Sequence, residues 1–538
     1  MKICPCTVFL QATNFYTTMK KLFCAAFAVL TFASVVHAQE KVKGIVYEDL
    51  NNNGKKDKKE KGLLNVLVSN GTDVIPTDKD GNYELEVTKD SPIFVIKPSG
   101  YQFHLDNYNL PKFYYLHKPQ GSPQSKYPGV QPSGKLPQSL DFALIPSKES
   151  SQFTAFAFGD PQAYTKEEVQ YFITGVVNEI DKSKAVFGLT LGDLVGDDLS
   201  LHPDYKNAVK QIGLPWYNVM GNHDMNYDAK SDEFSDETYE SNFGPNNFSF
   251  NYGKVHFIVL DNILYPDPRD GKSYWGGFRE DQLKFIENDL KFVPKNHLVV
   301  LAFHIPLEDN DNEWFRKSDR EKLFDLLKNH PNTLSLSAHT HIQQQIFYGS
   351  DKGWKQDKPH HEYNVGTTSG DWYSGEMNEQ GIPTSTMRDG TPKGYALIHF
   401  NENQYMVDYK VAGKPDHYQI NVFAPKVVAQ TPKSRHHVYA NVFMGTPKDM
   451  VQYSINDGEW KDMKFADEGD PHYESTFYKW DISEQIINGK RPSKSVKSTH
   501  LFVAKIPTNL EQGIYKIKVK ATDIYGKEHY GETTYKIN

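Results

Sequence analysis

An α/β core set between two all-β modules is the fold this sequence predicts, and three observations predict it. Between residues 152 and 400, short apolar strands alternate with amphipathic helical patterns. Before and after that stretch, β-rich runs are separated by Gly, Asn and Asp turns. The length, 538 residues, exceeds what one hydrophobic core fills at roughly 150 residues per domain.

The elements follow in order. Lys20-Lys21, an apolar stretch from Leu22 to Phe32 and the small-residue site Val36-His37-Ala38 read as a signal peptide over residues 1–38, with Met19 as an alternative start. The apolar stretch is shorter than the ~20 residues that span a bilayer, and no later segment qualifies, so no transmembrane segment is expected. Residues 41–146 form an all-β module, with runs at Val42–Tyr47, Val66–Ser69, Tyr83–Val87 and Pro92–Ile96. A proline-rich stretch (Pro119 to Pro137) and the linker Ser147 to Ser151 lead into the central domain, 152–400. Its strands are Phe153–Phe158, Ala185–Leu191, Trp216–Met220, Val255–Leu260, Leu298–Phe303, Leu334–Ser337 and Tyr395–Phe400. Helical patterns cover Glu167–Ile180, Arg279–Leu290 and Ser318–Lys328, the second with Leu283, Ile286 and Leu290 on one stripe. Residues 401–538 return to β patterns, with a hairpin around Asn456-Asp457-Gly458 and closing strands from Gly513 and from Thr533, compatible with a β-sandwich.

Hydrophobic content of 38% with 13% aromatics excludes wholesale disorder. A formal charge of −8 argues against a general nucleic-acid binder, which carries a basic stripe. All three cysteines (Cys4, Cys6, Cys24) precede the cleavage site, so an exported mature chain has no disulfide, thiolate ligand or cysteine nucleophile.

Five short motifs rich in metal ligands sit just beyond strand carboxyl ends, where open α/β sheets place their sites: Gly159-Asp160-Pro161-Gln162, Gly192-Asp193, Gly221-Asn222-His223-Asp224, Phe303-His304 and His339-Thr340-His341. Asp160/Gln162 and His339/His341 are spaced by two, which in extended backbone turns both side chains to one side. Oxygen and imidazole donors without sulfur suit manganese, iron or zinc. Two divalent ions held about 3.5–4 Å apart by a bridging carboxylate polarise phosphoryl oxygens and generate hydroxide near neutral pH, while an imidazolium protonates the departing alkoxide.

The order Asp-x-Gln, Gly-Asp, Gly-Asn-His-Asp, His and His-x-His resembles the calcineurin-like metallophosphoesterases, over residues 153 to about 345. The whole chain is similar to bacterial exported members with an N-terminal β-module and a dedicated C-terminal domain. The resemblance implies a central four-layer α/β/β/α sandwich flanked by all-β sandwiches. It also implies Asp160, Gln162, Asp193 and His341 around one metal, and Asp193, Asn222, His304 and His339 around the other, with Asp193 bridging and His223 as proton donor. Gln162 stands where many members have His. Gly196 stands where the family's protein phosphatases have an Asp that orients the proton donor, leaving Asp197 or Asp198 as substitutes. The segment Gly370 to Gly375 and on to Gly390, with Trp372, Tyr373 and Arg388, reads as a substrate wall.

Singly each residue has a plainer role: an Asp after a strand caps a helix, and a lone His is a hydrogen-bonded core residue. The conjunction is what points to a dinuclear site. His256, His297 and His399 read as structural, and His360-His361 and His436-His437 as exposed pairs. Trp354, Trp372, Tyr373 and Trp460 read as core or hinge packing ahead of a carbohydrate platform. In the N-terminal module, Asp49, Asn51, Asn53, Asp57 and Glu60, with Gly54 at the turn, follow calcium-loop spacing amid five lysines of a solvated turn. The reading is an exported, periplasmic or secreted, metal-dependent phosphoric ester hydrolase acting on a phosphoester of unknown identity, its β-domains shaping access or docking to a surface. The rival is a non-catalytic surface-binding protein with a residual core.

Overall fold

Alternating apolar and polar residues over Asn82–Val87 turn Tyr83, Leu85 and Val87 inward and the residues between them to solvent. The same logic builds the whole N-terminal module as two four-stranded sheets. One runs Asn82–Val87, Glu40–Glu48, Phe142–Pro146, Tyr101–Gln102; the other Val74–Pro76, Leu67–Ser69, Ser91–Ile96, Tyr114–His117. The computed structural model describes residues 40–308 and 314–538. The signal segment 1–38 and all three cysteines lie outside the described residues.

The central domain holds two sheets. The five-stranded one runs Trp216–Val219, Phe187–Leu191, Gln152–Phe158, Gly394–Asn401, Gln404–Val411, the first three parallel and the last two antiparallel. The six-stranded one runs Phe248–Tyr252, Val255–Val259, Leu298–Ala302, Asn332–Ser337, His360–Asn364, Gln344–Tyr348, with a parallel centre. Phe187–Leu191 and Leu298–Ala302 are buried at every residue, as strands covered on both faces must be. The sheets meet through aromatic rings: Tyr217 stacks on Phe250 at 4.1 Å, and Phe187 meets Phe257 edge-on at 5.4 Å. The central sheet extends beyond residue 400, since Gln404–Val411 pairs along the whole of Gly394–Asn401.

Helix Glu280–Leu290 buries Leu283, Ile286 and Leu290, the stripe its sequence predicts. Its Phe285 also meets Phe94 of the N-terminal module edge-on at 5.7 Å. Helix Lys166–Gly175 starts on the Thr165 cap and is shorter than its pattern predicts. It stops at Gly175, and two valines follow, a poor combination for helix propagation.

Two expectations are corrected. His360 and His361 are buried, not exposed. They lie in an inner strand, where Thr333 and Ser335 hydroxyls take both His360 nitrogens (2.8 Å each) and Gln345 takes His361 Nε2 (2.7 Å). Buried polar pairs of this kind break the apolar pattern by which a strand is read. The C-terminal part, read as all-β, also contains helix Pro471–Ile482. Asp470 caps it and Pro471 opens it, but it buries only Tyr473 and Phe477, so no apolar stripe marks it. Around it are a four-stranded sheet (Ile420–Phe423, His437–Val442, Leu501–Lys505, Lys464–Phe465) and a five-stranded one. In the latter, Met450–Ile455 turns through Asn456 and Asp457, both at positive φ, to Lys461–Asp462.

One hydrophobic core runs through the N-terminal module and the central domain, and a second fills the C-terminal sheets. The first is crossed by a buried charge cluster. Lys118 Nζ lies 2.7 Å from Glu237, 2.9 Å from Glu240 and 3.1 Å from Asp90. Removing the cation leaves two buried carboxylates facing each other, so Lys118→Met is expected to lower unfolding stability by about 3–5 kcal/mol in urea titration. A loss under ~1 kcal/mol would show that the cluster does not hold the module to the core.

Candidate metal centre

The ligand motifs converge at the carboxyl ends of both central sheets. Asp193, His304 and His339 offer ligand atoms that all lie within 4.8 Å of one another. Around His304 Nε2 stand His339 Nδ1 at 3.1 Å, Asn222 Oδ1 at 3.1 Å and Asp193 Oδ2 at 3.3 Å. The other ring nitrogen, His304 Nδ1, donates to the Leu191 carbonyl at 2.8 Å, which turns Nε2 inward as a donor atom. His341 is oriented in the same way. Its Nδ1 donates to Gly370 O at 2.7 Å, and its Nε2 faces Asp160 Oδ1 at 4.0 Å. Asp160 is fully buried, and His339 N donates to both its oxygens at 3.2 and 3.1 Å, so the first and last motifs touch.

This donor set fits divalent cations. Several lone pairs point at one another in a dry pocket, an arrangement that only a cation or protons between them can stabilise. Gln162 Oε1 is buried with no hydrogen-bond partner, while its Nε2 donates to the Tyr164 hydroxyl at 3.3 Å. That leaves an amide oxygen to serve as a ligand. Burial keeps His339 and His341 neutral, at about 3 and about 4, the form a ligand imidazole needs. Burial also raises Asp160 well above the usual carboxylate range. In His304 burial works downward, but the Asp193 carboxylate, helped by Asp160 and the Leu191 carbonyl, outweighs it and raises the ring to about 9, so this spot favours positive charge.

The backbone is bent to bring these donors together. Asp160, Gln162, Asp193, His339 and His341 all have positive φ, between 35° and 70°, a region that non-glycine residues enter only where surrounding structure holds them. Glycine is required between them. A Cβ on Gly221 would stand 2.0 Å from Asp193 N, and one on Gly192, itself at φ +90°, 2.5 Å from His304 Nδ1.

His223 stands at the rim. Its N–H donates to Asp193 Oδ1 at 2.9 Å, and its Nδ1 pairs with Asp197 Oδ1 at 2.7 Å. Burial pushes the ring's pKa down, but Asp193 and the Asp197 bond outweigh it and raise it to about 9, so the ring is an imidazolium at neutral pH. Of the two substitutes the sequence left open, Asp197 takes the orienting place. Asp198 instead accepts from Ser200 N and its hydroxyl.

Residues 156–343 match the family model described as Calcineurin-like phosphoesterase. Residues 50–128 and 362–529 match its N-terminal and C-terminal companions. Three successive stretches of the chain thus match the three models described for calcineurin-like phosphoesterases. Among curated relatives, it is 26% identical over 190 residues to a probable glycerophosphodiester phosphodiesterase GpdQ of Arcobacter nitrofigilis, covering 33% of this chain and 66% of that one. It is 28% identical over 149 residues to the serine/threonine-protein phosphatase CPPED1 of Pongo abelii, covering 26% of this chain and 46% of that one. The matched stretches thus span less than two thirds of both relatives. Among solved structures, a purple acid phosphatase PPD1 from yellow lupin aligns over 69% of this chain and 67% of its own at 11% identity and a TM-score of 0.36, too loose to bear on the chemistry.

Some of this centre was not singled out from sequence. Asp224 accepts from Leu194 N (3.1 Å) and Gly221 N (2.9 Å) and pairs with His202 Nε2 (3.2 Å), clamping the Asp193 and Asn222 loops together. It sits in a quoted motif, but nothing in the sequence distinguishes a clamp from a spare ligand. The segment from Gly370 to Gly390 packs against the His339–His341 turn. Trp372 stacks on His341 at 4.2 Å, Arg388 lies over Trp372 at 5.4 Å, and Arg388 donates to Thr340 O at 3.2 Å. Among the other histidines, His256 pairs with Asp289 (2.8 Å) and His399 with Asp408 (3.2 Å), away from the centre.

In the N-terminal loop, Asn51 and Asn53 both donate to Asp57 Oδ2, at 2.8 and 3.0 Å, and Gly54 turns at φ +69°. Asp49 accepts from Gly54 N (2.8 Å) and meets His104 (2.7 Å), and Glu60 accepts from Leu50 and Asp57 N–H groups at 3.0 and 2.8 Å. The loop therefore brings Asn51, Asn53 and Asp57 together, while Asp49 and Glu60 are engaged by backbone and His104.

Proposed function

We propose that this chain is an exported dinuclear-metal phosphoesterase that hydrolyses a phosphomonoester or phosphodiester, with His223 as the proton donor. The observation that carries the reading is the knot of inward-facing donor atoms around His304 Nε2, with the oriented His223 imidazole at its edge. Asp160, Gln162, Asp193 and His341 would hold one ion, and Asp193, Asn222, His304 and His339 the other, with Asp193 shared. When bound, two such ions supply Lewis acidity to the phosphoryl oxygens and a water acidic enough to attack phosphorus. Manganese, iron or zinc suits the nitrogen and oxygen donors.

The chain's own residues do the rest. Asp197 fixes the His223 ring through Nδ1, which presents Nε2–H to a departing oxygen. Asp224 and the glycines keep Asp193 and Asn222 in register, so that no reorganisation is needed during reaction. Trp372 and Arg388 wall the His341 side. One relative is named a probable glycerophosphodiester phosphodiesterase and another a serine/threonine-protein phosphatase, so diesters and monoesters both belong in the test. The same reading takes residues 152–400 as a four-layer α/β/β/α sandwich, supported by the ring contacts between the two sheets, and the flanking modules as β-sandwiches that shape access or dock to a surface.

Nitrophenyl and alkyl phosphate esters, mono and di, are the substrates to compare. Dialysis against a chelator is expected to abolish turnover and manganese to restore it. His223→Ala is expected to slow alkyl esters about 10²–10⁴-fold, and nitrophenyl esters, whose leaving group needs little protonation, by under ~10-fold. Equal losses would overturn the proton-donor role, and inactivity with every metal would favour a surface-binding protein with a residual core.

Export rests on the Lys20 to Ala38 pattern. N-terminal sequencing of protein from its native host is expected to begin at Gln39, and a chain beginning at Met1 or Met19 would overturn it. Calcium in the Asp49–Glu60 loop rests on the ligand spacing and on the gathering of Asn51, Asn53 and Asp57. Calorimetry of calcium against the chain is expected to show saturable heat that Asp57→Ala removes, and a flat trace up to several millimolar would overturn it.

A further inference from the structure

In strand Gly513–Thr522, Ile517, Val519 and Ala521 turn into the C-terminal core, so Lys516, Lys518 and Lys520 lie on the opposite face of the sheet. On that outer face the register sets Ser454, Lys518 and Glu532 opposite one another on three neighbouring strands, a polar row spanning roughly 10 Å at ordinary strand spacing. Two walls stand beside the row. One is strand Ile420–Phe423 of the other sheet, which crosses Glu528–Ile537 at Gly531. A Cβ on Gly531 would lie 2.9 Å from Val422 Cγ2 and 3.1 Å from Ile420 Cβ, so the close crossing depends on glycine. The other wall is the turn Asn456-Asp457-Gly458 with Trp460 behind it. Together they bound an open groove of about 700 Å³.

Trp460, which the sequence suggests as core or hinge packing, joins neither hydrophobic core and is half-buried. Its ring lines the groove, with Lys520 Nζ 5.4 Å from the ring centre. Tyr530 lines the same groove at 53% exposure, its hydroxyl held by Glu528 at 2.6 Å. Rings already fixed by such contacts lose little rotamer freedom when a ligand covers them. The charges narrow the ligand class. Lys518 pairs with Asp457, and Lys516 with Glu532 at 2.6 Å. A polyanion would meet Asp457 and Glu532 against the single lining lysine, Lys518, and be repelled. An acyl chain or an apolar peptide would bury the polar row without partners, at a cost. A neutral sugar ring answers both demands. Its C–H face lies on an aromatic ring, and its hydroxyls donate to carboxylates and accept from an ammonium. Asn421 Nδ2 donates to His472 Nδ1 at 2.7 Å, which leaves Asn421 Oδ1 as a further acceptor in the groove.

We propose that this groove of the C-terminal module is a binding site for a neutral glycan chain, with Trp460 and Tyr530 under the sugar rings and Asn421, Asp457, Lys518 and Glu532 as partners of their hydroxyls. The polar row runs across the strands, so a chain of several sugars follows it from the Trp460 wall toward the Ile420–Phe423 wall. The site shares no residue with the metal centre and stands or falls apart from the phosphoesterase reading.

Affinity electrophoresis of the full chain tests it, in gels containing hydroxyethyl cellulose, glycol chitin, galactomannan or glycogen, with alginate and heparin as polyanion controls. At least one neutral polymer is expected to retard the chain, and neither polyanion to do so. Trp460→Ala is expected to weaken that retardation by about tenfold or more in apparent Kd, while Trp460→Phe, which keeps an aromatic face, retains most of it. Tyr530→Ala, at an exposed position outside both cores, is expected to weaken it severalfold, and it guards against a Trp460→Ala chain that fails to fold. An unchanged melting temperature shows that each variant is folded, and calorimetry with the hexasaccharide of the retarding polymer reads the same losses without a gel. Retardation by none of the neutral polymers, retardation by the polyanions alone, or binding that survives both Trp460→Ala and Tyr530→Ala would overturn the site.

Discussion

Asp193 is the residue through which the centre is assembled. One of its carboxylate oxygens accepts from His223 N at 2.9 Å, the other faces His304 Nε2 at 3.3 Å, and its carbonyl accepts from Gln162 N at 2.8 Å. A single side chain and its peptide therefore connect four of the five motifs. Burial alone would raise this carboxyl, yet His304 and His223 outweigh it and hold it below the usual range, so it remains an anion in a dry site. An anion placed there favours positive charge nearby, and the Leu191 carbonyl and Asp197 hold the two histidine rings beside it.

Such a centre is held under strain. Five of its seven candidate ligands occupy left-handed backbone, and each such residue costs on the order of 1–3 kcal/mol unless its surroundings fix it. The supports are visible. Asn364 donates to the Ala338 carbonyl at 2.5 Å and bonds the Thr340 hydroxyl, which braces the His339–His341 turn. Asp224 braces the Asp193 loop. These supports grow out of the parallel strands on either side, Asn332–Ser337 with His360–Asn364, and Phe187–Leu191 with Trp216–Val219. A strained site is affordable on this fold because two stiff sheets end at the same place.

What could be read from the sequence divides along physical lines. Strands such as Leu298–Ala302 were legible because burial on both faces leaves an uninterrupted apolar run. The candidate ligands stood out because Asp, Asn and His after such runs, with glycines between, are hard to explain as caps. Helix Pro471–Ile482 was not, because it buries only two aromatic side chains. The His360-His361 pair was misread because its partners, Thr333, Ser335 and Gln345, lie 16 or more residues away in sequence. Asp197 remained one of two choices for the same reason. Only the fold decides which carboxylate reaches His223.

The two flanking modules are parts of the site rather than attachments to it. From the N-terminal side, the Tyr127 hydroxyl donates to the carbonyl of Asp197, the residue that orients His223, at 3.3 Å. Lys126 N and the Ser125 hydroxyl engage Asp228, the neighbour of Tyr227, at 2.7 and 2.9 Å. From the C-terminal side, Ser493 N donates to Asp371 at 2.7 Å, Val496 N to the Arg388 carbonyl at 3.0 Å, and His500 pairs with Asp389 at 3.1 Å. Those contacts hold Trp372 and Arg388 against His341, with Trp372 and Tyr373 themselves at positive φ. Gly390 permits the approach, since a Cβ there would lie 2.3 Å from Asp470 Oδ2. The candidate metal ligands come from the central domain alone. The residues packed around that centre, Asp197 on one side and Trp372 on the other, are contacted from segments before residue 146 and after residue 480, so its surroundings are a property of the whole chain.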